Sequence, residues 1–388
     1  MGDTVFDNVR ELLPLIEQGV GARDTERRLS DTDVTGLTSA GVFRTLVPRR
    51  YGGSESDPLM FYEVVRTLAG ACASTGWVVS LLGVNAWHVA LLPQRAQEEV
   101  WATGPDTLVC SSYAPAGRLT PADAGHRLSG RWRFSSGSDH AAWALLGAVS
   151  VSGDGEAVDL VTALVPRSEC AGDRVWDTVG LRGTGSNNLV AHSLFVPRHR
   201  VLRTYERARM RGPGQRTNPG PLYRMPFGAL FATAATAPLV GAVEGSLTAY
   251  LAGLREDGRL TLAGTRFEAS KFAQVAFARA ASEADAAALP LDRDIAELYA
   301  CAARSEPIPL ELRLRTRRDQ VCGTERAVRA IDLLFSHAGA AALQSGNRVE
   351  RVWRDVHAGS THLANDVEQA LALYGGGVLG LPVEDALM

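Results

Sequence analysis

The sequence predicts an α+β protein in three blocks: an N-terminal helical domain over residues 1–104, a central antiparallel, barrel-like β domain over 105–205, and a C-terminal helical bundle over 206–388. Two observations predict this order. Apolar residues recur at helical spacing up to about Gly104, and again in long Ala-rich blocks after Arg224. Between Thr107 and about Arg200 they fall instead into short alternating runs punctuated by Gly, Pro, Ser and Asp. Strand and helix do not alternate there, which argues against a doubly wound nucleotide fold.

In the first block, Val5, Leu12, Leu13 and Ile16 mark one face of a helix, and Ser30-Asp-Thr-Asp33 is a cap cluster for another. Leu46 to Gly53 reads as a turn-rich connection. A further helix opens near Asp57-Pro58, because proline's missing N–H costs nothing in a first turn. Ser74 to Leu92 is almost wholly apolar and carries Trp77, Trp87 and His88, so it is expected as a buried central helix. Strands are expected at Thr107–Tyr113, His126–Phe134, Ala142–Val149, Val158–Val165, Arg174–Trp176 and Asn188–Val196. Residues 206–221, rich in Arg, Gly and Pro, read as a flexible loop that is either functional or disordered. Helices are then expected over Leu222–Leu254, Gly264–Ala288, Leu291–Arg304, Leu310–Ala342 and Asn347–Tyr374. Pro290 and Glu306-Pro-Ile-Pro309 are the breaks between them.

Composition narrows the function. With 388 residues, 46% hydrophobic and 21% charged, the chain has the make-up of a soluble globular protein. A net charge of -3 without Lys/Arg runs leaves no electrostatic footprint for nucleic acid. Lys271 is the single lysine, so lysine-dependent chemistry is confined to one position. Cys72, Cys110, Cys170, Cys301 and Cys322 are scattered without a CxxC pair, so neither a metal site nor a disulfide framework is expected, and the reducing cytoplasm is the natural setting. The Met-Gly-Asp-Thr start lacks a secretory pattern. Phe227–Val243, interrupted by Pro238, is too weakly apolar for a membrane span and reads as a buried helix.

The densest chemistry lies near the end, in Arg351-Val-Trp-Arg-Asp355-Val-His357-Ala-Gly-Ser-Thr-His362. On one continuous helix His357 and His362 stand about 140° apart, so only one faces a common ligand and the other supports it. Arg354 and Asp355 brace the helix. Ser135 and Ser136, between Phe134 and Gly137, lie in a turn-prone run suited to hydroxyl and backbone contacts. Gly183-Thr-Gly-Ser-Asn-Asn188 precedes a strand and opens no helix, so it reads as a turn with close backbone approach rather than a phosphate loop.

Several of these stretches carry a resemblance. They are Ser111-Ser-Tyr-Ala-Pro-Ala-Gly117, Ser129-Gly-Arg-Trp-Arg-Phe-Ser-Ser-Gly-Ser-Asp-His140, Gly180-Leu-Arg-Gly-Thr-Gly-Ser-Asn-Asn188, Pro307-Ile-Pro-Leu-Glu-Leu-Arg313 with Arg317-Arg-Asp-Gln320, and Arg354 to His362. With the helix–sheet–helix order, they resemble the acyl-CoA dehydrogenase fold, and within it the oxygenase components of two-component flavin-dependent aromatic monooxygenases. The resemblance implies a homotetramer that takes reduced FMN, or FAD, from a separate flavin reductase. Through a C4a-hydroperoxide it would hydroxylate a phenolic or polycyclic aromatic substrate. It implies that Trp77, Ser111, Ser112, Tyr113, Phe134, Ser135, Ser136, Ser336 and Ala358 contact the flavin. His357 would be the catalytic histidine, with His362 and Ser136 in support, and His88 and His140 would face the substrate. Arg266, with Arg255 as the alternative register, would reach the flavin phosphate of a neighbouring subunit.

The dehydrogenase branch of that fold carries a Tyr-Glu-Gly tripeptide shortly after the Arg-Asp pair. This chain has Ser360-Thr-His362-Leu-Ala-Asn365, with no carboxylate until Asp366. The departure favours oxygenation, while N- or S-oxygenation and a dehydrogenase relative remain the alternatives. Hydroxylating a phenol requires a dry flavin site, hydrogen bonds to the ring edge, and a base that titrates near neutrality, a role suited to His357.

Overall fold

Local chemistry starts the N-terminal helices where the sequence expects them. The computed structural model describes residues 2–210, 212–256 and 270–383. Helices α1 (Gly2–Gln18), α2 (Val20–Glu26) and α3 (Asp31–Ser39) lead into α4 (Pro58–Ala71), α5 (Ala73–Val89) and α6 (Gln94–Val100). The Ser30 hydroxyl accepts from Asp33 N at 3.0 Å and Asp33 Oδ2 accepts from Ser30 N at 2.8 Å, a reciprocal cap for α3. Asp57 caps α4, with Pro58 in its first turn. Every residue of α5 is buried, so it has no solvent face to reveal in its pattern.

The middle of the chain forms one seven-stranded sheet ordered β5-β6-β2-β1-β3-β4-β7. Its strands are β1 (Val109–Ala122), β2 (Gly125–Ser135), β3 (Trp143–Val151), β4 (Ala157–Pro166), β5 (Ala171–Asp173), β6 (Asn187–Pro197) and β7 (Val201–Arg203). The sheet is mixed where a purely antiparallel one was expected, because β1 and β3 pair in parallel. Side-chain alternation reports which face a residue occupies and carries no information on a neighbour's direction. The strand expected at Arg174–Trp176 is displaced to β5, just before it. Val175 N and Trp176 N donate to the Asn187 side chain at 3.2 and 3.4 Å instead of to a ladder partner.

The stretch 206–221, expected as a flexible loop, overlaps two short helices, α7 (Thr204–Ala208) and α8 (Pro213–Thr217). Arg207 anchors the first: its guanidinium is buried over the Phe227 ring at 3.8 Å. Then follow α9 (Phe227–Glu256), α10 (Lys271–Ala303), α11 (Leu310–Ala338), α12 (Arg348–Ser360) and α13 (Val367–Val378). Pro238 does not interrupt α9. Proline cannot donate to the carbonyl four residues back, and the buried Ser80 hydroxyl donates to that Ala234 oxygen at 2.8 Å in its place. Pro290, expected as a break, lies inside α10, where Ala287, Ala288, Leu291 and Ile295 are buried. Packing on both sides of the proline offsets its local cost of about 3 kcal/mol. The expected Asn347–Tyr374 helix is two helices, parted between Thr361 and Asp366.

Buried side chains from the helices and the sheet form one continuous cluster. Gly245 lets α9 approach α4 closely, since a Cβ there would lie 2.2 Å from the Gly70 carbonyl oxygen. The described helix apolar enough to cross a membrane by length and composition, Phe227–Ala252, has 94% of its most apolar window buried within the fold.

Candidate active site

A cavity of about 600 Å³ opens where the sheet meets α5, α9 and α12. Its geometry begins with a fault in the sheet. The β1–β2 ladder runs only from Gly117/Gly130 to Ala122/Gly125, so the strands part at their other ends. On the far side, β1 slips register against β3 between Ser112 and Gly117. The parted ends present Ser111, Ser112 and Tyr113 on one side, with Arg133, Phe134 and Ser136 on the other. The Ser112 hydroxyl donates across the gap to the Arg133 carbonyl at 2.8 Å.

Trp77 and Phe231 supply apolar walls from α5 and α9. Trp176 joins from the segment after β5, packing its ring against Phe134 at 5.3 Å. Phe134 is 51% exposed, an unusual position for a large aromatic ring and one that a planar ligand would cover. The loop 177–186 closes the rim and is fastened to α12: Leu181 N donates to the buried Asp355 carboxylate at 2.6 Å, and Arg354 donates to the Val179 carbonyl at 2.6 Å. Gly180 permits this contact, because a Cβ there would fall 2.1 Å from the Arg354 oxygen.

Both histidines of the C-terminal stretch line the cavity. The 140° separation expected of a continuous helix does not apply, because α12 ends at Ser360 and His362 sits in extended backbone as the cap of the next turn. Its Nδ1 accepts from Ala364 N at 3.2 Å, which leaves the proton on Nε2 when the ring is neutral. Its ring lies edge-on to Trp77 at 5.5 Å and against Phe231 at 5.9 Å. Burial, then the nearby Arg317 cation, pushes its imidazolium down to about 4. His362 is therefore a neutral N–H donor at neutral pH. His357 stands at the rim, with Nε2–H on Asp332 Oδ1 at 3.0 Å and its ring 4.6 Å from Trp353. Trp353 Nε1 donates to the same carboxylate oxygen at 2.7 Å. The acceptor on His357 is thus Nδ1.

Two groups make stability depend on pH in opposite directions. His362 titrates lower in the folded state than the about 6.5 of an unfolded histidine, so its contribution is lost as pH falls through 6.5 towards 4. Burial raises Asp355 to about 7, so its contribution is present at low pH and lost as pH rises through 7. Urea unfolding across pH 4–7 is expected to show the stability gap between parent and His362→Gln shrinking toward acid. The gap to Asp355→Asn is expected to shrink toward neutrality, and the same slope in both would contradict these assignments.

Comparison with known proteins gives this arrangement its family. The chain is 44% identical over 377 residues to a flavin-dependent monooxygenase oxygenase subunit, HsaA, of Rhodococcus jostii (strain RHA1), covering 97% of this chain and 98% of that protein. It belongs to the oxygenase components of flavin-dependent monooxygenases. Another relative of this oxygenase is the FADH(2)-dependent resorcinol hydroxylase oxygenase component of Rhizobium sp. (strain MTP-10005), 36% identical over 93% of this chain and 90% of that one. The crystal structure of 3-HSA hydroxylase from Rhodococcus sp. RHA1 superposes with a TM-score of 0.96 at 42% identity, covering 99% of each chain. Residues 233–367 match the family model of the acyl-CoA dehydrogenase C-terminal domain. The chain is accordingly an oxidoreductase that uses reduced flavin supplied by a separate reductase.

The cavity fits that cofactor. Aromatic walls suit a flat tricyclic ring, the parted strands offer hydroxyl and main-chain edges, and the volume lies within the usual range for such sites. Trp77, Ser111, Ser112, Tyr113, Phe134, Ser136, His357, Ala358 and His362 are brought together there. Four other expected residues are not. Ser135 is buried on the opposite side of its strand from Phe134 and Ser136, beside Cys110. His140 is spent on the Leu29 carbonyl at 3.1 Å. Ser336 is exposed on α11 outside the lining. His88 lies behind the wall, its Nδ1 on the Tyr113 hydroxyl at 2.8 Å. Arg266 lies outside the described residues, as does the side chain of Arg255.

Sequence reasoning missed Ser186, Trp176, Phe231 and Asp332. The glycine-rich run around Ser186 was readable only as a turn, and no local signal links Asp332 on α11 to a histidine on α12. Asp177 is the single carboxylate among the lining residues, and it pairs with Arg27 and Arg182. A dehydrogenase's free catalytic Glu has no counterpart there.

Proposed function

We propose that this oxygenase hydroxylates a phenolic aromatic substrate held between Tyr113, Phe231 and the two histidines, with the flavin ring lying along Trp77, Phe134 and Ser136. One observation supports it above the others: a neutral histidine donor, a carboxylate-anchored histidine and a serine converge on one apolar cavity. Reduced flavin supplies the oxygen-activating chemistry. The chain's own residues bind the ring, exclude water and handle the phenol proton.

In this reading His357 Nδ1 accepts that proton, with Asp332 holding the opposite nitrogen and so fixing the tautomer. Ionising the hydroxyl enriches the aromatic ring with electrons. The His362 Nε2–H serves as a fixed donor beside the flavin, its other nitrogen held by Ala364 N. Self-association fits the exposure of Phe272, Leu289 and Leu343, which a homotetramer would cover. The five unpaired cysteines suit a reducing cytoplasm.

The test supplies chemically reduced FMN or FAD, in separate reactions, with O₂ and a panel of phenols. A product heavier by one oxygen atom, formed only with the protein present, is expected. Oxidation of thioethers or amines with no phenol turned over would overturn the phenolic assignment.

A further inference from the structure

Behind Ser136 runs a chain of hydroxyls whose direction can be worked out from its far end. Ser136 Oγ lies 2.8 Å from Ser186 Oγ, which lies 2.7 Å from Thr184 Oγ1, and Thr184 Oγ1 donates to the Leu181 carbonyl at 2.9 Å. All three hydroxyls are buried, Thr184 and Ser186 almost wholly. The Leu181 carbonyl can only accept, and it is held in place by Trp176 Nε1–H at 2.9 Å. Thr184 has one proton and places it there. Its oxygen must therefore accept from Ser186, and Ser186 must in turn accept from Ser136. At the cavity end, Trp77 Nε1–H donates to Ser136 Oγ at 3.1 Å. Every proton in the chain points away from the cavity, so Ser136 meets a ligand with a lone pair and no proton to give.

We infer that Thr184 and Ser186 are positioning residues that hold Ser136 as a hydrogen-bond acceptor and thereby select the reduced flavin over the oxidised one. The chemistry of the ring supplies the discrimination. Reduced flavin carries a proton on N5 and can donate to Ser136, whereas oxidised flavin offers a bare N5 lone pair facing another lone pair. An oxygenase fed by a separate reductase benefits directly, because spent oxidised flavin is released and reduced flavin is taken up. Thr184 does not line the cavity, so its influence passes through the chain alone. The inference rests on the flavin ring lying against Ser136, as proposed above.

The test measures dissociation constants for oxidised and, anaerobically, reduced FMN, and reads their ratio. Thr184→Val keeps the shape but removes the acceptor for Ser186, freeing that hydroxyl to reverse and letting Ser136 donate into the cavity. The preference for reduced flavin is expected to fall about three- to tenfold, the worth of one neutral hydrogen bond. Thr184→Ser restores the chain and should keep the parent ratio within about twofold. Ser186→Ala breaks the chain one step nearer and should lower the ratio in the same direction, which covers a Thr184→Val protein that fails to fold. A ratio unchanged in Ser186→Ala and Thr184→Val, while Ser136→Ala changes it, would overturn the polarity and leave the flavin placement standing. If Ser136→Ala alters neither affinity, the ring lies elsewhere and the inference falls with the placement.

Discussion

His357→Ala is expected to slow hydroxylation of an ordinary phenol by about a hundredfold or more at neutral pH, the usual contribution of a positioned base. The ring is a partly exposed rim residue on α12, so its removal leaves the helix's buried face of Val349, Val352, Asp355 and Val356 intact. The loss should therefore appear in product formation and not in stability. Phenols acidic enough to be ionised at the assay pH need no base, so for them the variant should lose far less. Measuring product per O₂ consumed across phenols of graded acidity checks this, and equal losses across the series would remove the proton-acceptor role. Asp332→Asn keeps a partner on Nε2 but lets the histidine tautomer slip, and an intermediate loss is expected.

The second large effect concerns the fold. Arg23→Leu is expected to destabilise the protein by about 3–5 kcal/mol, seen as a lower urea midpoint. Arg23 and Asp33 are both almost fully buried, and Arg23 Nε donates to Asp33 Oδ2 at 2.8 Å. Burial opposes ionisation of Asp33, but hydrogen bonds from Arg23 and Ser30 outweigh it and hold the carboxyl below its usual range. Removing the guanidinium leaves a buried carboxylate with only its helix-capping bond. Because the folded carboxyl is depressed, the pair's contribution is present above the unfolded value of about 3.9 and lost as pH falls below it. The deficit of the variant should therefore narrow in acid. A double variant, Arg23→Leu with Asp33→Asn, should recover part of the loss, since no unpaired charge then remains.

Much of the framework was legible because its signals are local. The Ser30–Asp33 box, the Asp57-Pro58 start and the apolar Ser74–Leu92 run each act within a few residues, and each appears where the pattern put it. The Pro290 reading failed for a tertiary reason. Pro238 falls inside an expected helix and Pro290 at an expected break, yet both lie within helices: a serine from α5 satisfies the carbonyl freed by the first, and buried neighbours hold the helix around the second. The histidines failed differently. A helical wheel assumes a helix, and α12 stops two residues before His362. That one interruption places a residue expected in support in the wall of the cavity.

The sequence by itself determined the helix–sheet–helix order, the family resemblance, and the cluster of Trp77, Ser136, His357 and His362 as the place to look. These are set by hydrophobic period, caps and contiguous motifs, which are written along the chain. Only the tertiary structure decided that β1 and β3 run parallel, that β1 and β2 part to make room for a ligand, and that Asp332 orients His357. It alone brought the hydroxyls of Ser136, Ser186 and Thr184 into one chain that ends on the Leu181 carbonyl. Those facts depend on groups far apart in sequence meeting at hydrogen-bond distance, and a hydrogen bond's direction is fixed by its partner rather than by the residue that bears it.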